Sequence, residues 1–138
     1  MLKNYNYDGM NATFANLTAN PRKFAIGFAT RMFKQEPSEA DMDWVVAEML
    51  KTPPRVAEAI YSDFLMSDYA KSLPSVKVPV IVLAADSGVF RKGIAMGKAI
   101  ANQVPQGRFI PFDDVGHILF YEQPQKFNAA LTDFVKAP

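Results

Sequence analysis

Apolar residues are spaced in two different ways along this chain. From Phe24 to Leu65 they recur every three or four positions, the period of helices with one buried side. Phe24, Ile26, Phe28, Met32 and Phe33 form a first group, and Met42, Val45, Val46, Met49 and Leu50 a second. Val56, Ala57, Ala59, Ile60, Phe64 and Leu65 form a third. Each group follows a helix-start signal: Asn20-Pro21, Ser38 with Asp41 three residues on, and Thr52-Pro53. The pattern predicts three short helices over residues 20–66, the first stopping near Gln35 to Pro37. Before them, residues 1–19 read as loop with a short helix near Asn11 to Leu17.

Beyond a connector from Asp68 to Lys77, in which Leu73 and Val76 are expected to tuck in, the spacing changes. Val80 to Leu83 is continuously apolar, β-branched and opened by Pro79, which predicts a strand covered on both faces, as in parallel sheets. A helical period follows over residues 91–103, weakened by Gly93 and Gly97. Arg108 to Phe112 is a second strand, and Pro111 within it argues for an edge position or a bulge. Glu122-Gln-Pro124 opens a last helix with Phe127, Ala130, Leu131, Phe134 and Val135 on its buried side. Strand, helix, strand, helix is the order of a parallel sheet. The fold class is therefore α/β, with a helical block over residues 1–75 and an α/β portion over 76–138.

Two parallel strands leave apolar edges open, which favours pairing with another chain. The pattern thus predicts a homo-oligomer, or completion by a separate N-terminal segment.

Composition narrows the chemistry. A formal net charge of +1 with scattered basic residues gives no reason to expect nucleic acid. With no cysteine and a single histidine there is no convincing transition-metal site, and no glycine-rich phosphate loop follows a strand, so no cofactor is expected. No apolar run approaches the length of roughly 18 residues read as a membrane span. The first residues carry no apolar signal run, which predicts a cytoplasmic location.

The ordered set of the Pro79 strand, Gly116-His117, Glu122-Gln-Pro124, Phe127-Asn128 and Phe134-Val135 resembles the C-terminal part of an α/β-hydrolase, over residues 76–136. The helical block resembles a hydrolase cap, of the kind found in small-molecule esterases and the cofactor-free haloperoxidase-like branch. A split gene product or a shortened chain would read the same way. The resemblance implies that His117 is a catalytic base. It places the acid after the Pro79 strand, where Asp86 is the only carboxylate, two residues ahead of the family position held here by Gly88. An Asx turn at the strand end is the alternative for Asp86. Asp113 or Asp114 could orient His117 only in an unusual geometry. The family's nucleophile is missing: no Gly-x-Ser-x-Gly, or variant with Asp or Cys at its centre, occurs in the sequence, and neither does the upstream oxyanion loop. The resemblance implies a hydrolase of carboxylic esters or similar carbonyl substrates, with the isolated chain inactive. Phe28, Met32, Trp44, Met49 and Phe64 are the candidates for lining a pocket for a small apolar or aromatic substrate. Their richness in Phe and Met also suits ordinary helix packing, or a pliable wall. A non-catalytic, self-associating remnant is the competing reading.

Overall fold

The structure, a computed structural model, describes residues 7–137. The helical block begins with α1 (Tyr7–Ala19), followed by α2 (Pro21–Thr30), α3 (Glu39–Leu50) and α4 (Pro54–Met66). A 3-10 turn (Ala70–Ser75) leads to β1 (Val80–Ala84), α5 (Gly93–Ala101) and β2 (Gly107–Pro111). A single helical turn, α6 (Leu119–Glu122), and α7 (Pro124–Lys136) complete it. The chain divides into two compact units: one runs to Ala29 and takes in Ser38–Ser67, and the other is Thr30–Pro37 with Asp68–Pro138.

In the first unit the helix starts follow the sequence signals closely. The Asn20 side chain accepts the Lys23 N–H at 3.0 Å, and Pro21, which has no N–H to satisfy, takes the first helical position. The Ser38 hydroxyl accepts the Asp41 N–H and turns its own proton to the Asp41 carboxylate. The third start lies one residue later than expected. Pro54 disfavours helical backbone at the residue before it, so Pro53 is extended (φ −58°, ψ 138°) and itself stands at the cap. The loop expected over residues 1–6 lies outside the described residues; from Tyr7 to Ala19 the chain is a 13-residue helix, longer than the short one expected near Asn11 to Leu17. It is anchored to α4 by an edge-to-face pair, Phe14 on Tyr61, with centroids 6.1 Å apart. Ala25 and Ala29, one turn apart on α2, are buried, as is Val46 on α3.

The second unit is built on the parallel pair β1–β2, in register from Val80 opposite Gly107 to Ala84 opposite Pro111. Pro111 is tolerated because it ends its strand; the ladder continues through Phe112 N–H, which donates to Ala84 O at 2.9 Å. Helix α5 approaches the sheet closely. Its buried stripe is Gly93, Gly97 and Ala101, and a Cβ on Gly97 would fall 2.7 Å from Ala84 Cβ and 2.9 Å from the Phe109 ring. The core of this unit lies at the C-terminal ends of the strands, where Ala85, Phe112, Val115 and Leu119 are buried, backed by Leu83, Ile110 and Phe127. Every residue of β1 is only half buried, in place of the two-sided cover its sequence predicts. Among the described residues β1 has one strand neighbour, so one edge lacks a partner. Val78, Met96 and Ile100 are exposed.

Residues 30–37 also depart from expectation. The apolar period suggests that the α2 helix carries on through Met32 and Phe33, but it ends at Thr30. The following residues cross into the second unit as an irregular strap. Phe33 meets Tyr121 edge-to-face at 5.6 Å, and Lys34 pairs with Asp114 at 3.7 Å.

Candidate functional site

Two loops leave the C-terminal ends of the two strands, the end where parallel sheets carry their functional groups. The loop after β1 starts with Ala85 and Asp86 and folds back on itself through a reciprocal pair. Ser87 N–H donates to Phe90 O, and Phe90 N–H donates to the Ser87 hydroxyl, both at 2.9 Å. This turn holds the Phe90 ring against His117, with ring centroids 4.9 Å apart.

The loop after β2 carries His117. Asp114 takes a left-handed backbone conformation (φ 56°), which its short polar side chain tolerates, and so turns the chain toward Gly116-His117. Gly116 is buried, and a Cβ there would fall 2.2 Å from Met32 O, so only glycine fits without a shift. The His117 N–H donates to Met32 O at 2.6 Å.

The imidazole itself is exposed on one side and makes no hydrogen bond with any described residue. Desolvation by its surroundings holds its pKa below the ordinary 6.5. The ring is thus mostly neutral at pH 7, with a nitrogen lone pair available to take a proton. Beside it opens an apolar cavity of about 220 Å³, lined by β1, α5, Phe90, Leu119 and His117.

Asp86 sits in the loop after β1, but its carboxylate is engaged elsewhere: Oδ1 accepts the N–H of Ile94 at 2.9 Å, in the first turn of α5. Asp86 and His117 do not hydrogen-bond one another. Among the five pocket candidates, Met32 is half buried in the strap, and its carbonyl holds the histidine backbone. Phe28 is half buried on α2 and stacks on Phe24 with centroids 6.1 Å apart. Met49 is half buried on α3, whereas Trp44 and Phe64 are 65% and 56% exposed.

Sequence reading gave Phe90 no role, and Glu122 only a place in the Glu122-Gln-Pro124 helix start and motif. The Glu122 carboxylate accepts three backbone N–H groups, Lys34 at 2.8 Å and Gln35 at 2.9 Å on one oxygen and Gly116 on the other. The position of Glu122 six residues after Gly116 was visible; its second set of partners, about 88 residues away, was not. Among the described residues no cluster of His, Asp and Glu side chains is arranged to hold a metal ion, and no helix is long and apolar enough to cross a membrane.

No family model matches the chain. A Mycobacterium tuberculosis protein named as a non-heme bromoperoxidase, BpoC, is 30% identical over 60 residues, which are 44% of this chain and 22% of that protein. Likeness in structure is broader. An esterase from Exiguobacterium antarcticum superposes with a TM-score of 0.85 at 17% identity, over 94% of this chain and 48% of its own. A bromoperoxidase from Bacillus anthracis gives 0.83 at 18% identity, over 93% and 48%. A hydrolase from Oleispira antarctica gives 0.81 at 16% identity, over 100% and 50%. The chain therefore spans about half the length of these structures, and its helical block followed by a parallel strand–helix–strand–helix unit is a partial α/β-hydrolase fold.

Proposed function

We propose that this chain supplies the histidine base and part of the apolar wall of a hydrolase acting on carboxylic esters or similar carbonyl substrates. In this reading the nucleophile and the oxyanion-binding groups come from polypeptide outside these 138 residues. The supporting observation is the state of His117: a neutral imidazole, free of hydrogen bonds to described residues, at the C-terminal end of a parallel strand and beside an apolar cavity. A base in that position takes the proton of an attacking hydroxyl, returns it to the leaving group, and then activates the water that releases the acyl group. Asp86 is the candidate acid; to reach the imidazole it must first give up the Ile94 N–H. Of the five pocket candidates, Met32, in the same unit as His117, would contribute to the substrate wall. A cytoplasmic location fits this reading.

The full reaction needs the nucleophile this chain lacks, so the test isolates the base: p-nitrophenyl butyrate has a leaving group good enough for a well-placed imidazole to cleave it with no serine, and it is offered to the chain alone. A properly placed neutral imidazole gives slow turnover that saturates with ester, exceeds that of equimolar free imidazole, and is lost in His117→Ala. A rate equal to free imidazole and unchanged in that variant would overturn the reading.

A second reading is favoured by the unpartnered β1 edge and the exposed Val78, Met96 and Ile100 around it. Such an edge templates pairing with another chain. Here the protein acts through self-association, with no chemistry. Light scattering behind a sizing column would find a dimer or larger species whose population rises with concentration. A monomer at every concentration would count against it.

A further inference from the structure

We propose that Glu122 is a positioning residue for His117: its carboxylate clamps the 30–37 strap to the turn that carries the histidine. The assignment concerns the base identified above and rests on that reading. Three backbone N–H groups converge on this one side chain, from two stretches of chain that are far apart in sequence. Gly116 immediately precedes His117, whereas the Lys34 and Gln35 N–H groups come two and three residues after Met32, whose carbonyl accepts the His117 N–H. The carboxylate and the Met32 carbonyl thus hold the Gly116-His117 peptide from both sides. The strap has no regular secondary structure to satisfy these N–H groups, and a carboxylate, with two oxygens and no proton, is the side chain suited to accept all three.

Glutamine has nearly the same outline but fails in a specific way. Its single oxygen can serve Lys34 and Gln35, which turns its NH2 toward Gly116 N–H, donor against donor. Flipped, it serves Gly116 and abandons the strap. In either orientation the clamp is split, and the histidine turn is no longer tied to Met32.

His117 is the only histidine, so its ring gives one unambiguous set of NMR signals, shifted by the Phe90 ring that lies tilted against it. In the wild-type chain the amides of Gly116, Lys34 and Gln35 are expected to exchange slowly and at matching rates, because one carboxylate holds all three. In Glu122→Gln, exchange at either Gly116 or the Lys34–Gln35 pair rises by at least about tenfold. The His117 ring signals move toward their positions without Phe90 beside them, and the saturable part of ester hydrolysis falls with them. A variant that only loses stability, with folded-state ring signals unchanged, would overturn the proposal. If the variant does not fold, the wild type decides: unprotected Lys34 and Gln35 amides beside a protected Gly116 would also overturn it. Failure of the hydrolysis assay alone, with the exchange pattern as described, would remove the catalytic reading and leave the clamp standing.

Discussion

The backbone N–H of His117 donates to the carbonyl of Met32, joining residues 85 positions apart at 2.6 Å. The candidate base is therefore set by where the strap lies as much as by the strand that precedes it. Gly116 makes the approach possible, since any side chain there meets Met32 O, the Lys34 N–H and the Glu122 carboxylate, all within 2.8 Å. Gly116→Ala should accordingly cost about 1–3 kcal/mol, as overpacking against backbone does. Urea unfolding measures that loss, and the same variant should release the His117 ring from Phe90. A variant as stable as the wild type would mean that the strap yields easily.

The glycines of the helices should behave in opposite ways. A Cβ on Gly97 would press on Ala84, Phe109 and Val82, so Gly97→Ala should lift α5 from the sheet and destabilise by about 1–3 kcal/mol. A Cβ on Gly27, within α2, would meet nothing within 4 Å. There, Gly27→Ala only lowers the chain entropy lost on folding and should stabilise by about 0.5–1 kcal/mol. Thermal unfolding of the two variants side by side checks both signs.

Asp86 can be separated into its possible roles by two substitutions. Asp86→Ala removes the acceptor for the Ile94 N–H and should cost about 1 kcal/mol, as loss of a helix-start acceptor does. Asp86→Asn keeps an oxygen for that N–H and should leave stability close to wild type. If the carboxylate does nothing beyond securing α5, the Asp86→Asn variant should hydrolyse p-nitrophenyl butyrate as the wild type does. A clear drop in hydrolysis with stability intact would mark Asp86 as the acid.

What the sequence could reveal follows from the range of the forces involved. Helix starts at Asn20 and Ser38 are local hydrogen bonds between near neighbours, and they were legible. So were the two strands, because a continuous β-branched run and the Gly-His turn are properties of short segments. The helix at Gly93 and Gly97 was legible but the glycines read only as weakening it, since their cost to an isolated helix is visible in the sequence and the close sheet contact that requires them is not. The strap misled for the same reason. Met32 and Phe33 keep helical spacing with Phe28, yet their partners are His117 and Tyr121, and nothing local signals contacts at that separation. The fold class was readable. The candidate base was readable only as an identity, and the groups that place it, Met32 O and Glu122, came from the structure.

The pH response of His117 distinguishes an imidazole held by its surroundings from one supported by an acid. Burial lowers the pKa of the folded protein, while the unfolded chain titrates near the ordinary 6.5. Between those two values the unfolded chain binds more protons, so stability falls as the pH drops through that window and is fully present above it. An acid hydrogen-bonded to the ring would do the reverse, raising the folded pKa and adding stability on the acidic side. The expected result is an NMR titration of the single histidine with its midpoint below 6.5, matched by an ester-hydrolysis profile that falls to half its full rate at that same pH. His117→Gln should remove this part of the pH dependence of unfolding and leave the remainder. A midpoint above 6.5 would mean that a carboxylate faces the imidazolium in solution. Asp86, freed from Ile94, would then be the first group to substitute, with loss of the upward shift in Asp86→Asn as the deciding observation.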